Sequence, residues 1–225
     1  MGPKLYSNPL ATILLLLVFL MTSLTGSPGS RSAPGGGSPS LQRPLQGKTI
    51  IIDPGHGGHD PGAVGFSGRT YEKYNVLWIA LDLQKMLEQG GAKVIMTRTG
   101  DNYLTLASRV NIANQSQGQI FVSIHNDANR DRSIQGTTTY YYNNFSIPLG
   151  EAIQQELVGS LGSRNIGVRR QPFYVIRHTQ MPAVLVEVGF VSNSREEQLL
   201  VDPSYRVKAA RGIYNGILRY FQTCM

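Results

Sequence analysis

The chain has 225 residues, enough for one domain with a sizeable core plus a non-globular extension. Its 41% apolar and 16% charged residues let most of it fold, and a formal charge of +7, from 21 basic and 14 acidic residues, favours polyanionic surroundings. The basic residues are scattered, with Arg169-Arg170 the densest pair, so charge does not select nucleic acid; the single cysteine, Cys224, excludes an intramolecular disulfide and any Cys-based zinc site.

Leu10 to Leu24 is an apolar stretch preceded by Lys4 and followed by Thr25-Gly26-Ser27. It is shorter than the roughly 20 residues of a spanning helix and has the layout of an export signal, so residues 1–25 are read as a signal peptide or N-terminal anchor. A buried core helix is the alternative, but an unpatterned leucine run followed by a flexible tail has nothing to pack on. No clear Ala-x-Ala is present, which leaves cleavage or retention open. Residues 26–46, rich in Gly, Ser and Pro, read as a linker, and residues 47–222 as the folded domain.

The domain opens on Ile50-Ile51-Ile52, a strand running into Asp53-Pro54-Gly55-His56-Gly57-Gly58. A helix follows from near Tyr71 to Glu88, with Leu77, Ala80, Leu81, Leu83 and Leu87 on one wide face and Gly90-Gly91 as its stop. Ala92 to Met96 reads as a strand, Leu106, Val110 and Ala113 mark a helix, and Ile120 to Ile124 is a strand ending at His125. Thr137 to Tyr142 is β-branched and aromatic, hence a strand. A helix near Pro148 to Leu161 comes next, then strands near Phe173 to Ile176 and Ala183 to Val188. Ser194-Arg195-Glu196-Glu197 fits a capping box, and Asp202-Pro203 an N-cap and first-turn pair for a last helix with Tyr205, Ala209, Ile213 and Ile217 in a stripe. Helices alternating with buried strands predict a three-layer αβα domain with a mainly parallel sheet.

In such sheets ligands collect beyond the carboxyl ends of the strands, where His56, His125 and Glu187 fall. Glu72 opens the first helix. Two His and one Glu are a ligand set that zinc accepts, with a fourth position left for water. Each residue also has an ordinary reading: a turn histidine, or a helix-opening acid favoured by the dipole. Asp53 reads as a turn-former or an orienting group rather than a ligand. His59 and Asp60 could reach a metal but sit in a loop that tolerates solvated residues, and His178 reads as a surface-loop residue. Glu187 directly follows a buried run, where a carboxylate is costly without a partner or a task. Arg98 or Arg109 could pair with it; the functional reading is a general base.

The Asp53–Gly58 motif, Glu72-Lys73 with Asn75, Thr97-Arg98, Ser123-Ile124-His125 and Val186-Glu187-Val188-Gly189-Phe190-Val191-Ser192-Asn193 resemble zinc-dependent N-acetylmuramoyl-L-alanine amidases of the AmiA, AmiB and AmiC type, the amidase_3 family. The resemblance spans about Lys48 to Phe221. It implies that His56, Glu72 and His125 bind one Zn²⁺, that Glu187 is the catalytic acid–base, and that the substrate is the peptidoglycan amide joining N-acetylmuramic acid to L-alanine. Some such amidases carry a long insertion after Ser-Ile-His that plugs the site. Here only Asp127 to Ile134 stand before Gln135-Gly136, too few for a blocking helix. The expectation is an exported, monomeric enzyme of the periplasm or cell envelope that touches membrane only through its N-terminal segment and needs no activator or nucleic acid. A zinc peptidase cutting within the stem peptide and an inactive wall-binding protein are the rivals.

Overall fold

The computed structural model describes residues 43–224. The expected signal or anchor and most of the linker lie outside the described residues. Among those described, no helix is long and apolar enough to cross a membrane. Packing begins slightly before residue 47: Leu45 is fully buried in the core, and its N–H donates to the Gly90 carbonyl at 2.9 Å.

Six strands form one sheet in the order β2-β1-β3-β6-β4-β5, comprising β1 (Thr49–Pro54), β2 (Lys93–Met96), β3 (Ile120–Asp127), β4 (Thr137–Tyr141), β5 (Asn165–Arg170) and β6 (Ala183–Phe190). The pairs β1–β2, β1–β3, β3–β6 and β4–β5 are parallel, and only β4–β6 is antiparallel. Six helices accompany them: α1 (Glu72–Gln89), α2 (Leu106–Gln115), α3 (Ile147–Leu161), α4 (Tyr174–His178), α5 (Ser194–Val201) and α6 (Pro203–Cys224). This is the expected αβα sandwich.

The apolar runs of β1, β3 and β6 are continuous because both sheet faces are covered. Alternate residues go to different layers. Ile50, Ile52, Val122, Ile124, Val184 and Val186 pack in a large core with α1, α3 and α6, whereas Ile51, Phe121 and Leu185 pack with Val110 of α2 and Val175 and Ile176 of α4. Asp53, His125 and Glu187 share the parity of this second, thinner layer. The chain leaves β1 for β2 on one side and returns past β1 to β3 on the other, so the crossover direction reverses between β1 and β3. That switch point is where His56 and His125 emerge.

Local corrections follow from packing. Phe173 to Ile176 is not a strand: Val175 and Ile176 are adjacent and both buried against α2 and β6, which one helical turn achieves and an edge strand cannot. The edge strand is Asn165–Arg170, half-exposed and interrupted by Gly167, so no apolar run announces it. The cap of α5 is Asn193, whose Oδ1 accepts from the N–H groups of Arg195 and Glu196, so Ser194 is already helical. Gly91, at φ +92°, ends α1 in a Schellman arrangement, with Ala92 N–H donating to Leu87 and Gly91 N–H to Glu88. Asp202 caps α6 as expected, accepting from Ser204 N–H at 2.7 Å.

Candidate functional site

β1 delivers its last residues into a loop that folds back over the sheet edge. His56 itself adopts φ +59°, a left-handed conformation that an L-residue occupies only when its surroundings impose it. Two arginines impose it. Arg98, 2% exposed, donates to the carbonyls of Pro54, Gly55, Lys73 and Gly100; Arg109, also 2% exposed, donates to those of Pro54, His56 and Leu104. Arg109 also pairs with the fully buried Asp53 at 2.7 Å, and Asp53 accepts from Thr97 Oγ1 at 2.6 Å and Ser123 Oγ at 2.8 Å. Burial would raise the Asp53 carboxyl, but the Arg109 charge and these three hydrogen bonds hold it below its ordinary value.

Neither arginine therefore pairs with Glu187, contrary to the pairing considered from sequence. They are clamps on the loop carbonyls. Asp53 orients the clamp and touches none of the three prospective ligands. Gly55 lets β1 and β3 approach: a Cβ there would overlap the His125 ring.

His56, Glu72 and His125 converge. Their donor atoms lie within 4.8 Å of one another, and the two imidazole rings stand edge to face at 4.9 Å. Glu72 Oε2 is 3.2 Å from His56 Nε2, and Oε1 is 2.8 Å from His125 Nδ1. Each oxygen also accepts a backbone N–H, from Ala63 at 2.8 Å and Asn126 at 2.9 Å, which fixes the carboxylate. Asp60 Oδ2 lies 2.8 Å from His56 Nδ1, so Nε2 is the nitrogen turned toward the centre. Asp60 is thus an orienting residue, a role its loop position in the sequence does not reveal.

Burial would lift the Glu72 carboxyl, yet the hydrogen bonds to His125 and His56 hold it well below the carboxylate range. Burial would likewise lower His56, and Glu72 and Asp60 raise it instead. The centre is therefore arranged to hold positive charge. Two imidazoles and one ionised carboxylate, their donor atoms within 4.8 Å of one another, are a donor set that suits Zn²⁺.

Glu187 sits inside β6 rather than at its end, in register with His125 on β3, so both side chains leave the same sheet face. It is 8% exposed, and its Oε2 has no hydrogen-bond partner among the described residues. Burial first, then the charges of Glu72 and Asp127, push its carboxyl well above the ordinary value. Asp127 is itself raised, mainly by burial. A cation among these acids reverses that pressure.

His56, His125 and Glu187 open onto one cavity of about 490 Å³, walled by Tyr103, Leu104, Leu106, Phe173, Tyr174 and Val175. Sequence reading missed these walls, since aromatic residues in loops and a one-turn helix carry no periodic signal. His59 stacks on Tyr103 at 4.0 Å instead of joining the cluster, and His178 lies exposed at the end of α4.

Three convergent donors facing an unpaired buried carboxyl across a cavity point to a hydrolase. A family model described as N-acetylmuramoyl-L-alanine amidase matches residues 50–219, and the chain belongs to this family. N-acetylmuramoyl-L-alanine amidase LytC of Bacillus subtilis is 39% identical over 186 residues, covering 81% of this chain and 37% of LytC. The chain thus spans little more than a third of that relative's length. The catalytic domain of CwlV, an N-acetylmuramoyl-L-alanine amidase from Bacillus (Paenibacillus) polymyxa var. colistinus, superposes with a TM-score of 0.76 at 39% identity, covering 78% of this chain and 98% of that one. The CwlD amidase of Clostridioides difficile, solved in complex with the GerS lipoprotein, gives 0.75 at 36% identity, with 78% and 98% covered.

Proposed function

We propose that this protein is a zinc-dependent N-acetylmuramoyl-L-alanine amidase, hydrolysing the amide between N-acetylmuramic acid and the first alanine of the peptidoglycan stem peptide. The observation that carries the reading is the convergence of His56, Glu72 and His125 beside the in-register Glu187. Family membership supplies the substrate.

His56, Glu72 and His125 would hold the zinc ion, which would supply Lewis acidity toward the scissile carbonyl and toward water. Asp60 holds the His56 ring, and the Ala63 and Asn126 N–H groups hold the Glu72 carboxylate. Glu187 accepts a proton from the attacking water as the C–O bond forms. It then delivers that proton to the alanine nitrogen as the C–N bond breaks. The aromatic and aliphatic walls give the cavity an apolar lining, and a substrate seated against them would displace water from around these charges.

Residues 1–25 direct export and the Gly/Ser/Pro linker that follows, as far as about residue 42, tethers the domain, so the enzyme works outside the cytoplasm, in the periplasm or cell envelope. Only residues 128–136 join β3 to β4, and no helix occupies them. This supports a domain that turns over without an activator, although a relative has been solved with a lipoprotein partner.

Purified sacculi incubated with the zinc-loaded protein alone should release stem peptides bearing free N-terminal alanine, and a chelator should stop the release. Products cut within the stem peptide would establish the peptidase instead. Turnover that appears only with an added partner would overturn the claim of autonomy.

A further inference from the structure

The outer side of α1 carries a second built feature. Tyr71, Tyr74 and Trp78 are 39%, 37% and 43% exposed, on successive turns. The Tyr74 and Trp78 rings are 6.0 Å apart and nearly parallel, at 25°, and Tyr71 meets Tyr74 at 6.4 Å. Arg206 of α6 lies 4.4 Å over Trp78. With Asn75 and Val201 these residues enclose a hollow of about 370 Å³.

Two of its lining groups lack partners. Asn75 is 1% exposed, and neither its Nδ2 nor the buried Nε of Arg206 has a hydrogen-bond acceptor among the described residues. Buried donors without acceptors are rare and costly, so each needs an explanation. Both orphans are donors, and both border an aromatic surface. The complementary ligand has a flat C–H face to lie on the rings and a carbonyl or hydroxyl oxygen to accept from Asn75 and Arg206. An N-acetylated hexosamine has both.

The hollow is tied to the reacting centre through neighbouring residues. Tyr71 precedes the proposed ligand Glu72, and Tyr74 Oη reaches Asp101 at 3.3 Å. Tyr103, two residues beyond Asp101, lines the catalytic cavity.

We propose that this hollow binds an N-acetylated sugar of the glycan strand, away from the unit whose amide is cut. The proposal rests on the amidase reading for the identity of its ligand, though its test does not. Trp78 is the only tryptophan in the chain, so its emission reports on this site alone. Titrating the zinc-loaded full chain with chitotetraose should shift or quench that emission to saturation, and cellotetraose, which lacks acetamido groups, should not. Tyr74→Ala should abolish the response, with Tyr71→Ala as a second variant should the first fail to fold. Trp78→Ala should raise KM on sacculi roughly three- to tenfold, the loss expected for one aromatic contact. Its kcat should hold, as should its rate on a soluble monomeric muropeptide. No emission change with chitotetraose, an equal response to cellotetraose, or equal KM values for Trp78→Ala and the parent on sacculi would each overturn the proposal. An emission response without peptide release from either substrate would instead sink the amidase reading and leave the sugar site standing.

Discussion

Exchanging Glu187 for Gln keeps the side chain's shape and removes its ability to accept and return a proton. The proposed role loses its general acid–base, worth roughly 10²- to 10⁴-fold in rate, or about 3–5 kcal/mol of barrier. Zinc content should stay at one per chain, because Glu187 is not among the three converging donors. Stability should move the other way. In the metal-free protein the Glu187 carboxyl is raised by burial and by Glu72 and Asp127, with one oxygen unpartnered. A group raised in the folded state stabilises fully below its unfolded value of 4.5, and that contribution is lost as pH rises through the folded value. Metal-free Glu187→Gln escapes this loss, so its melting temperature should equal or exceed the parent's, by a margin that grows above pH 4.5. Peptide release from sacculi, metal analysis by mass spectrometry and thermal melts at several pH values read the three effects separately. A variant that retains activity within tenfold, or that loses its zinc, would refute the assignment of Glu187 as a proton carrier outside the ligand set.

Gly55→Ala should lose zinc and activity together, since the added methyl overlaps the His125 ring; metal analysis checks this, and a zinc-replete variant contradicts it. His56→Ala and His125→Ala should each abolish zinc retention after dialysis while leaving the far-UV circular dichroism spectrum unchanged. Chelation should lower the melting temperature of the parent and return it on adding zinc, with an increment that climbs with free metal concentration as linked binding requires. Asp53→Asn should cost about 3–5 kcal/mol by leaving the Arg109 guanidinium buried and uncompensated, measured by urea unfolding. Because Asp53 is lowered in the folded protein, its stabilisation is present above the unfolded value of 3.8 and lost as pH falls through the folded one. The parent's advantage over Asp53→Asn should therefore shrink under acid, and a constant difference from pH 7 to pH 2 would contradict the pairing.

The local pattern of the chain determined a good deal. Unbroken apolar runs such as Ile50–Ile52 and Val184–Val186 announced strands covered on both faces, and periodic helices between them announced the crossovers. Polar residues at the ends of those runs marked His56, His125 and Glu187, because a buried strand tolerates such groups only where it reaches a site. The pairing register of β1, β3 and β6, which no single strand encodes, placed Asp53, His125 and Glu187 on a common sheet face. Which helices cover that face was decided by the strand order, in which β1 lies between β2 and β3 and β6 follows β3. The tertiary fold likewise decided that Arg98 and Arg109 clamp carbonyls around β1 instead of neutralising Glu187, that Asp60 steers His56, and that Val175 and Ile176 coil into a turn of helix. Periodicity records whether a residue is buried, a property each segment carries in its own spacing. Partners separated by fifty residues or more, such as Arg109 with Asp53 or Asn126 with Glu72, are chosen only when distant segments meet, and no spacing along the chain encodes that meeting.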